Sequence, residues 1–218
     1  MTEILLIRHG ETAWNAKKRL QGHLDIPLNV KGELQAAALG RALQNESLDA
    51  VIASDLQRAR QTAHAIATLR GMRVLIEPGL RERCYGAFEG MSHGEISQRY
   101  PQDYAAWQKR DIDARFPQGE RMAETLREFS QRAVGTIIRI AREGKYRKVA
   151  LVSHGGVLEC AYRAAQGGGF AHPRDFDILN ASINRFVWNG TALQLCQWGD
   201  VAHLDDLDST VLDEADRH

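Results

Sequence analysis

The sequence predicts an α/β protein, a layered α/β/α sandwich with a mostly parallel central sheet and a small cap insertion over the strand ends. Continuous apolar runs of strand length occur at Ile4 to Ile7, Ala50 to Ala53 and Val149 to Val152. Runs without polar alternation suit strands covered on both faces. Segments of helical periodicity separate them, and strands alternating with helices build a layered sheet. Between Arg83 and Gly119 the alternation lapses into an irregular stretch holding Tyr85, Phe88, Tyr100, Tyr104, Trp107 and Phe116, which reads as the cap.

Each element has a local reason. After the strand Ile4 to Ile7, a helix runs from about Val30 to Gln44, capped by Asn29 and turned inward through Leu34, Ala37, Ala38 and Leu43. Ala50 to Ala53 is the second strand, and Asp55 stands where it can cap the helix that follows. Arg73 to Ile76 is the third strand, ended by Pro78 and Gly79. Inside the cap, Ser92 and Glu95 have the spacing of a capping box. A long helix from about Met122 to Arg142 carries Leu126, Phe129, Val134, Ile137 and Ile138 at helical spacing, ahead of the strand Val149 to Val152. Ile183 to Trp188 and Ala192 to Trp198 flank Asn189-Gly190, a hairpin signal. Residues 1–204 therefore read as one domain with its cap at about 83–120, and the acidic residues 205–218 as a flexible tail.

Composition narrows the function classes. With 218 residues, 44% of them hydrophobic, the chain can bury a full core. Its 28 basic and 28 acidic residues cancel, so no single-sign field draws nucleic acid or an anionic membrane. A small molecule is the expected partner, with the oligomeric state left open. The N-terminal apolar run is too short for a signal-peptide core, and no later run approaches membrane-spanning length, so a cytoplasmic protein is expected. Cys84, Cys160 and Cys196 are odd in number with no close pair, which reads as reduced thiols rather than a disulfide framework or a thiolate zinc site.

The chemistry concentrates at strand ends, where open α/β sheets bind their ligands. The first strand runs into Arg8-His9-Gly10-Glu11-Thr12, and Val149 to Val152 runs into Ser153-His154-Gly155-Gly156. Two buried strands thus each end in a histidine, the second followed by glycines that let backbone approach a ligand. Between them, Ser54 to Thr62 opens a helix with Arg58 in its first turn, where free N–H groups and the helix dipole favour an anion. A neutral imidazole is a competent nucleophile toward a phosphoryl group, and a second histidine with two guanidiniums can neutralise the transferring oxygens. Arginine suits that task because its fork binds phosphate in two places and stays charged. Glu82 is the candidate proton donor, since a carboxyl screened from water can have its pKa raised enough to serve as acid and then as base. Its bland alternative is a surface ion pair with Arg81 or Arg83. No His-Glu-x-x-His spacing offers a zinc site.

Four ordered segments, Leu6 to Asn15, Ser54 to Thr62, Leu80 to Arg83 and Leu151 to Gly156, together resemble the histidine phosphatase superfamily, which includes phosphoglycerate mutases and related phosphatases. The resemblance implies His9 as the phosphorylated nucleophile, Arg8, Arg58 and His154 as phosphoryl ligands, and Glu82 as proton donor. It also implies phosphate contacts from Asn15, Gln21 and Gly22, and needs no metal. Gly155 and Tyr85 complete the substrate-binding candidates. The segment Leu80 to Gly86 looks like the mutase form except that Cys84 replaces a histidine. The mutases, however, carry a longer insertion with a lysine eight residues past the tyrosine and paired arginines that grip the substrate carboxylate; His93 holds that lysine position here. Without such a clamp, water takes the phosphoryl group more readily. Phe116 to Glu120 and Leu179 to Ser182 also look more like the phosphatase branch.

The expected activity is therefore a metal-independent phosphomonoesterase acting on a small phosphorylated metabolite through phosphohistidine, with no cofactor. The alternative is a phosphoglycerate mutase, primed by 2,3-bisphosphoglycerate, whose acceptor pocket would use Tyr85, Arg83 and Arg110. A third possibility, a non-catalytic phospho-ligand module, conflicts with the presence of all five core residues. The other histidines, His23, His64, His93, His172, His203 and His218, read as surface groups, with His93 and His172 nearest the pocket.

Overall fold

A computed structural model describes residues 1–205 and 207. Its centre is a sheet of β1 (Thr2–Arg8), β2 (Ala50–Ala53), β3 (Val74–Ile76), β4 (Lys148–Ser153), β5 (Ile183–Trp188) and β6 (Leu193–Asp200), in spatial order β3-β2-β4-β1-β5-β6. The first four strands run parallel, and the hairpin β5–β6 closes one edge antiparallel. The helices are α1 (Ala13–Ala16), α2 (Val30–Ala42), α3 (Gln57–Thr68), α4 (His93–Arg99), α5 (Pro101–Gln108), α6 (Leu126–Arg142) and α7 (Gly155–Gln166).

Alternation along the strands assigns the two cores. Ile4, Leu6, Ile52, Val149 and Leu151 face Phe129, Ile137 and Ile140 of α6 and Val157 and Leu158 of α7. Leu5, Ile7, Val51, Ala150 and Val152 face Leu39 of α2 and Ala59, Ala63 and Ile66 of α3. Both faces of the parallel strands are covered, which is why their sequences are apolar without interruption. The layered sandwich is the predicted one. The cap region holds a separate aromatic cluster of Tyr85, Phe88 and Phe116 with Leu20, Ile96 and Ala123, its Phe88 and Phe116 rings 4.5 Å apart.

Three local expectations are corrected. Of the expected inner stripe of α2, Ala38 and Leu43 are buried and Ala37 half-buried, whereas Leu34 is exposed; Gly32, Gln35, Ala36, Leu39 and Gly40 complete the buried face. Small residues rule that face because a side chain would collide: a Cβ on Gly32 would lie 2.0 Å from the Glu11 carbonyl oxygen and one on Gly40 2.4 Å from that of Ala65. Asp55 does not cap α3, whose N-cap is Leu56 without a side-chain bond; its carboxylate instead pairs with Arg81 through Nε at 2.7 Å. The long helix begins at Leu126, not Met122, because Thr125 and Glu128 form a capping box there. Asn29 and Ser92 cap α2 and α4 as expected. Apart from Asp205 and Leu207, the acidic tail lies outside the described residues.

Candidate active site

Strand register alone brings the principal side chains together. Arg8 pairs with Ser153 across β1 and β4, so His9 and His154, each one residue further on, stand side by side at the C-terminal ends of these central strands. The His9 N–H donates to the Ser153 carbonyl at 3.0 Å, and the two rings lie 5.1 Å apart, tilted by 60°. The pairing of Ala53 with Val152 likewise brings Ser54 alongside, and its Oγ lies 2.9 Å from His154 Nε2. Arg8, His9, Arg58 and His154 are all at most 3% exposed.

The His9 ring has a defined tautomer. Its Nδ1 lies 2.7 Å from the Gly10 carbonyl, which only accepts, so Nδ1 carries the proton and the Nε2 lone pair is left for a ligand. Burial, with the charges of Arg58 and Arg8 beside it, holds the His9 pKa well below the ordinary histidine value. Burial, Arg58 and His9 do the same to His154. Both imidazoles are neutral at pH 7.

The arginines are fixed by backbone carbonyls. Arg8 Nη1 donates to Ile178 at 2.6 Å; Arg58 donates through Nη1 to Leu24 at 3.0 Å and through Nη2 to Gly22 at 2.9 Å. Thr62 joins the two segments, accepting from the Gly10 N–H and donating to the Arg58 carbonyl. Gly22 has φ +51, and a Cβ there would lie 2.1 Å from the Glu89 carboxylate, so this carbonyl anchor requires glycine.

Glu82 is buried. Its Oε1 accepts the Arg83 N–H at 2.8 Å and its Oε2 the Gly156 N–H at 3.0 Å, at the first turn of α7. Arg81 turns away to Asp55, which removes one partner of the surface-pair alternative. Gly155 opens α7 directly after His154. Asn15 uses its Oδ1 in the capping box of α1, and Gln21, buried beside it, accepts from Thr12 Oγ1 at 3.0 Å. These contacts order the loop around Gly22. Tyr85 lines a cleft with Arg83, Trp107, Arg110, Phe116, Gly156 and Glu159, and Gly156 is the residue whose N–H donates to Glu82.

Other residues take places that the sequence did not suggest. His23 is half-buried, and its Nε2 donates to the Glu82 carbonyl at 2.8 Å. His93 stacks on Trp107, 4.9 Å between centroids, inside the cap. Arg110, an acceptor-clamp candidate, pairs with Glu159 and donates to the Phe170 carbonyl at 2.8 Å. Ser54, Thr62, Glu124 and Arg132 also stand among these partners. Only Ser54, a polar residue directly after a buried strand, carried a legible signal. Among the described residues no cluster of three or more histidine, cysteine or acidic side chains is placed to hold a metal, and no helix is long and apolar enough to cross a membrane.

A model of the histidine phosphatase superfamily, branch 1, matches residues 4–201. Phosphoglycerate mutase-like protein 4 of Arabidopsis thaliana is 36% identical over 207 residues, covering 94% of this chain and 87% of its own length. A metal-independent phosphoserine phosphatase of the same plant is also 36% identical, over 94% of this chain and 84% of its own. Among solved structures, Bacillus stearothermophilus YhfR superposes with a TM-score of 0.85 at 31% identity, across 94% of this chain and 100% of that one.

Proposed function

The chain belongs to the histidine phosphatase superfamily, branch 1, and from that premise we propose that it hydrolyses small phosphomonoesters through a phosphohistidine on His9. The observation that carries this reading is the His9 ring itself, with Nδ1 pinned to Gly10 and Nε2 turned to a site shared with Arg8, Arg58 and His154. The Nε2 lone pair attacks phosphorus as the ester P–O bond breaks. Arg8, Arg58 and neutral His154 stabilise the three equatorial oxygens. Glu82 gives its proton to the leaving alkoxide, then as carboxylate takes one from the water that attacks phosphohistidine. Phosphate leaves, and His9 and protonated Glu82 are restored. Asn15, Gln21, Gly22 and Gly155 surround the phosphate; Tyr85 borders the alcohol portion.

Hydrolysis is favoured over mutase chemistry because Arg110 already serves Glu159 and Phe170, and Arg83 donates to the Glu124 carbonyl at 3.0 Å and lies 4.5 Å over the Phe116 ring. A substrate carboxylate would have to compete for both. We assign the enzyme no metal or cofactor, and to the cytoplasm with its thiols reduced; Cys84 and Cys160 are buried and unbridged.

Phosphorus NMR of the protein with 3-phosphoglycerate and a trace of 2,3-bisphosphoglycerate tests the choice. Phosphate release without the 2-isomer supports hydrolysis. Rapid primer-dependent isomerisation would mean the cleft holds the carboxylate and would overturn the reading.

A further inference from the structure

Glu82 lies between a short 3-10 turn (Pro78–Leu80) and another at Gly86–Phe88, so no regular element fixes it. A proton donor must nevertheless sit within hydrogen-bond reach of one oxygen, and a misplacement of about 1 Å costs roughly 100-fold. We propose that Arg132, with His23, is the positioning device that holds Glu82 at the leaving oxygen, an inference that rests on Glu82 being the proton donor.

Arg132 projects from α6 toward this loop. Nη1 donates to the carbonyls of Gly79 at 2.9 Å and Arg81 at 3.0 Å; Nη2 donates to that of Glu82 at 3.1 Å. Nε and Nη2 grip the two carboxylate oxygens of Glu124 at 2.7 and 2.8 Å. All five guanidinium N–H groups are thereby engaged, leaving none to bind substrate, so Arg132 acts through the loop. Glu124 extends the clamp by accepting the Cys84 N–H at 2.9 Å. His23 Nε2 donates to the same Glu82 carbonyl at 2.8 Å. His23 also neighbours Gly22 and Leu24, whose carbonyls hold Arg58. One loop thus registers the proton donor against the phosphoryl-binding arginine. The backbone of Glu82 is held at its carbonyl and its side chain at both carboxylate oxygens. Lysine has three donors and no planar fork, so it cannot reproduce the clamp.

Leaving-group dependence separates positioning from general structural support. An alkyl phosphate needs its departing oxygen protonated, whereas p-nitrophenolate leaves with little help from an acid. The test measures kcat/KM, which stops at phosphoryl transfer, for glycerol 2-phosphate and p-nitrophenyl phosphate in wild type, Arg132→Lys, Arg132→Gln and Glu82→Gln. Both Arg132 variants should lose about 100-fold on glycerol 2-phosphate and under about tenfold on p-nitrophenyl phosphate, with Glu82→Gln showing the same asymmetry more strongly. The ratio is taken within one sample, so partial unfolding cancels. Equal losses on the two esters in the Arg132 variants, with asymmetry kept in Glu82→Gln, would overturn the positioning role alone. Equal losses in Glu82→Gln would overturn the donor assignment and this inference with it.

Discussion

Burial of the histidine pair makes the folded chain acid-sensitive by an amount that can be worked out. His9 and His154 are 3% and 0% exposed, and both titrate well below the ordinary value, chiefly because burial penalises the charged ring. In the unfolded chain each titrates near pH 6.5. Because the folded pKa is the depressed one, the stabilisation is complete above that pH and is lost as the pH falls toward the folded value. Each ring that stays uncharged in the native state costs about 1.4 kcal/mol for every pH unit below the unfolded value, and the pair twice that, a loss read by comparing about pH 7.5 with about pH 5. That is a large part of the roughly 5–15 kcal/mol of a typical domain. The depressed carboxyls of Asp55 and Glu124 act at lower pH, where unfolded carboxylates titrate. Urea unfolding at the two pH values measures the loss, in phosphate-free buffer because bound phosphate stabilises the native state. His154→Asn should remove the share of one ring. His23 and His203, also depressed by burial, contribute to both proteins and cancel in the comparison. An identical loss in wild type and His154→Asn would refute the reasoning.

Gly156→Ala sets two effects against each other. Helix propensity gains about 1 kcal/mol, but the new Cβ would lie 2.4 Å from Glu82 Oε1 and 3.0 Å from the Phe129 ring. Overpacking costs about 1–3 kcal/mol and strain on the hydrogen bond from the Gly156 N–H to Glu82 about 1 kcal/mol more. The net loss of about 2 kcal/mol should lower Tm by about 4–8 °C, whereas a stabilised variant with unchanged turnover would contradict the packing described. The acid limb of kcat/KM for the free enzyme should fall well below pH 6.5, since His9 is already neutral there; a limb above pH 7 would require another nucleophile. Chelation of divalent metals should leave kcat unchanged, checked by turnover before and after EDTA dialysis.

The sheet was legible because parallel strands buried on both faces must be apolar throughout, and β2 matches its expected bounds of Ala50 to Ala53 residue for residue. The same reasoning placed the two histidines at strand ends, and register then made them neighbours. What escaped was set by long-range partners. Leu34 has the spacing of an inward residue, but glycine-mediated contact with residue 11 rotates the buried face of α2 away from it. Asp55 has the composition of a cap, yet Arg81, distant in sequence, takes its carboxylate. Arg132 is one of several charged residues on α6, and nothing local announces the loop carbonyls it gathers. Such contacts depend on where loops return, which periodicity does not encode.

Trapping the phosphorylated protein tests the central claim most directly. Wild type mixed with p-nitrophenyl phosphate, quenched in alkali within the first turnover and mapped by mass spectrometry and phosphorus NMR, should carry one acid-labile phosphoryl group on Nε2 of His9, absent in His9→Ala. Steady turnover with no trapped phosphoprotein, or a phosphoryl group on His154, would contradict the account.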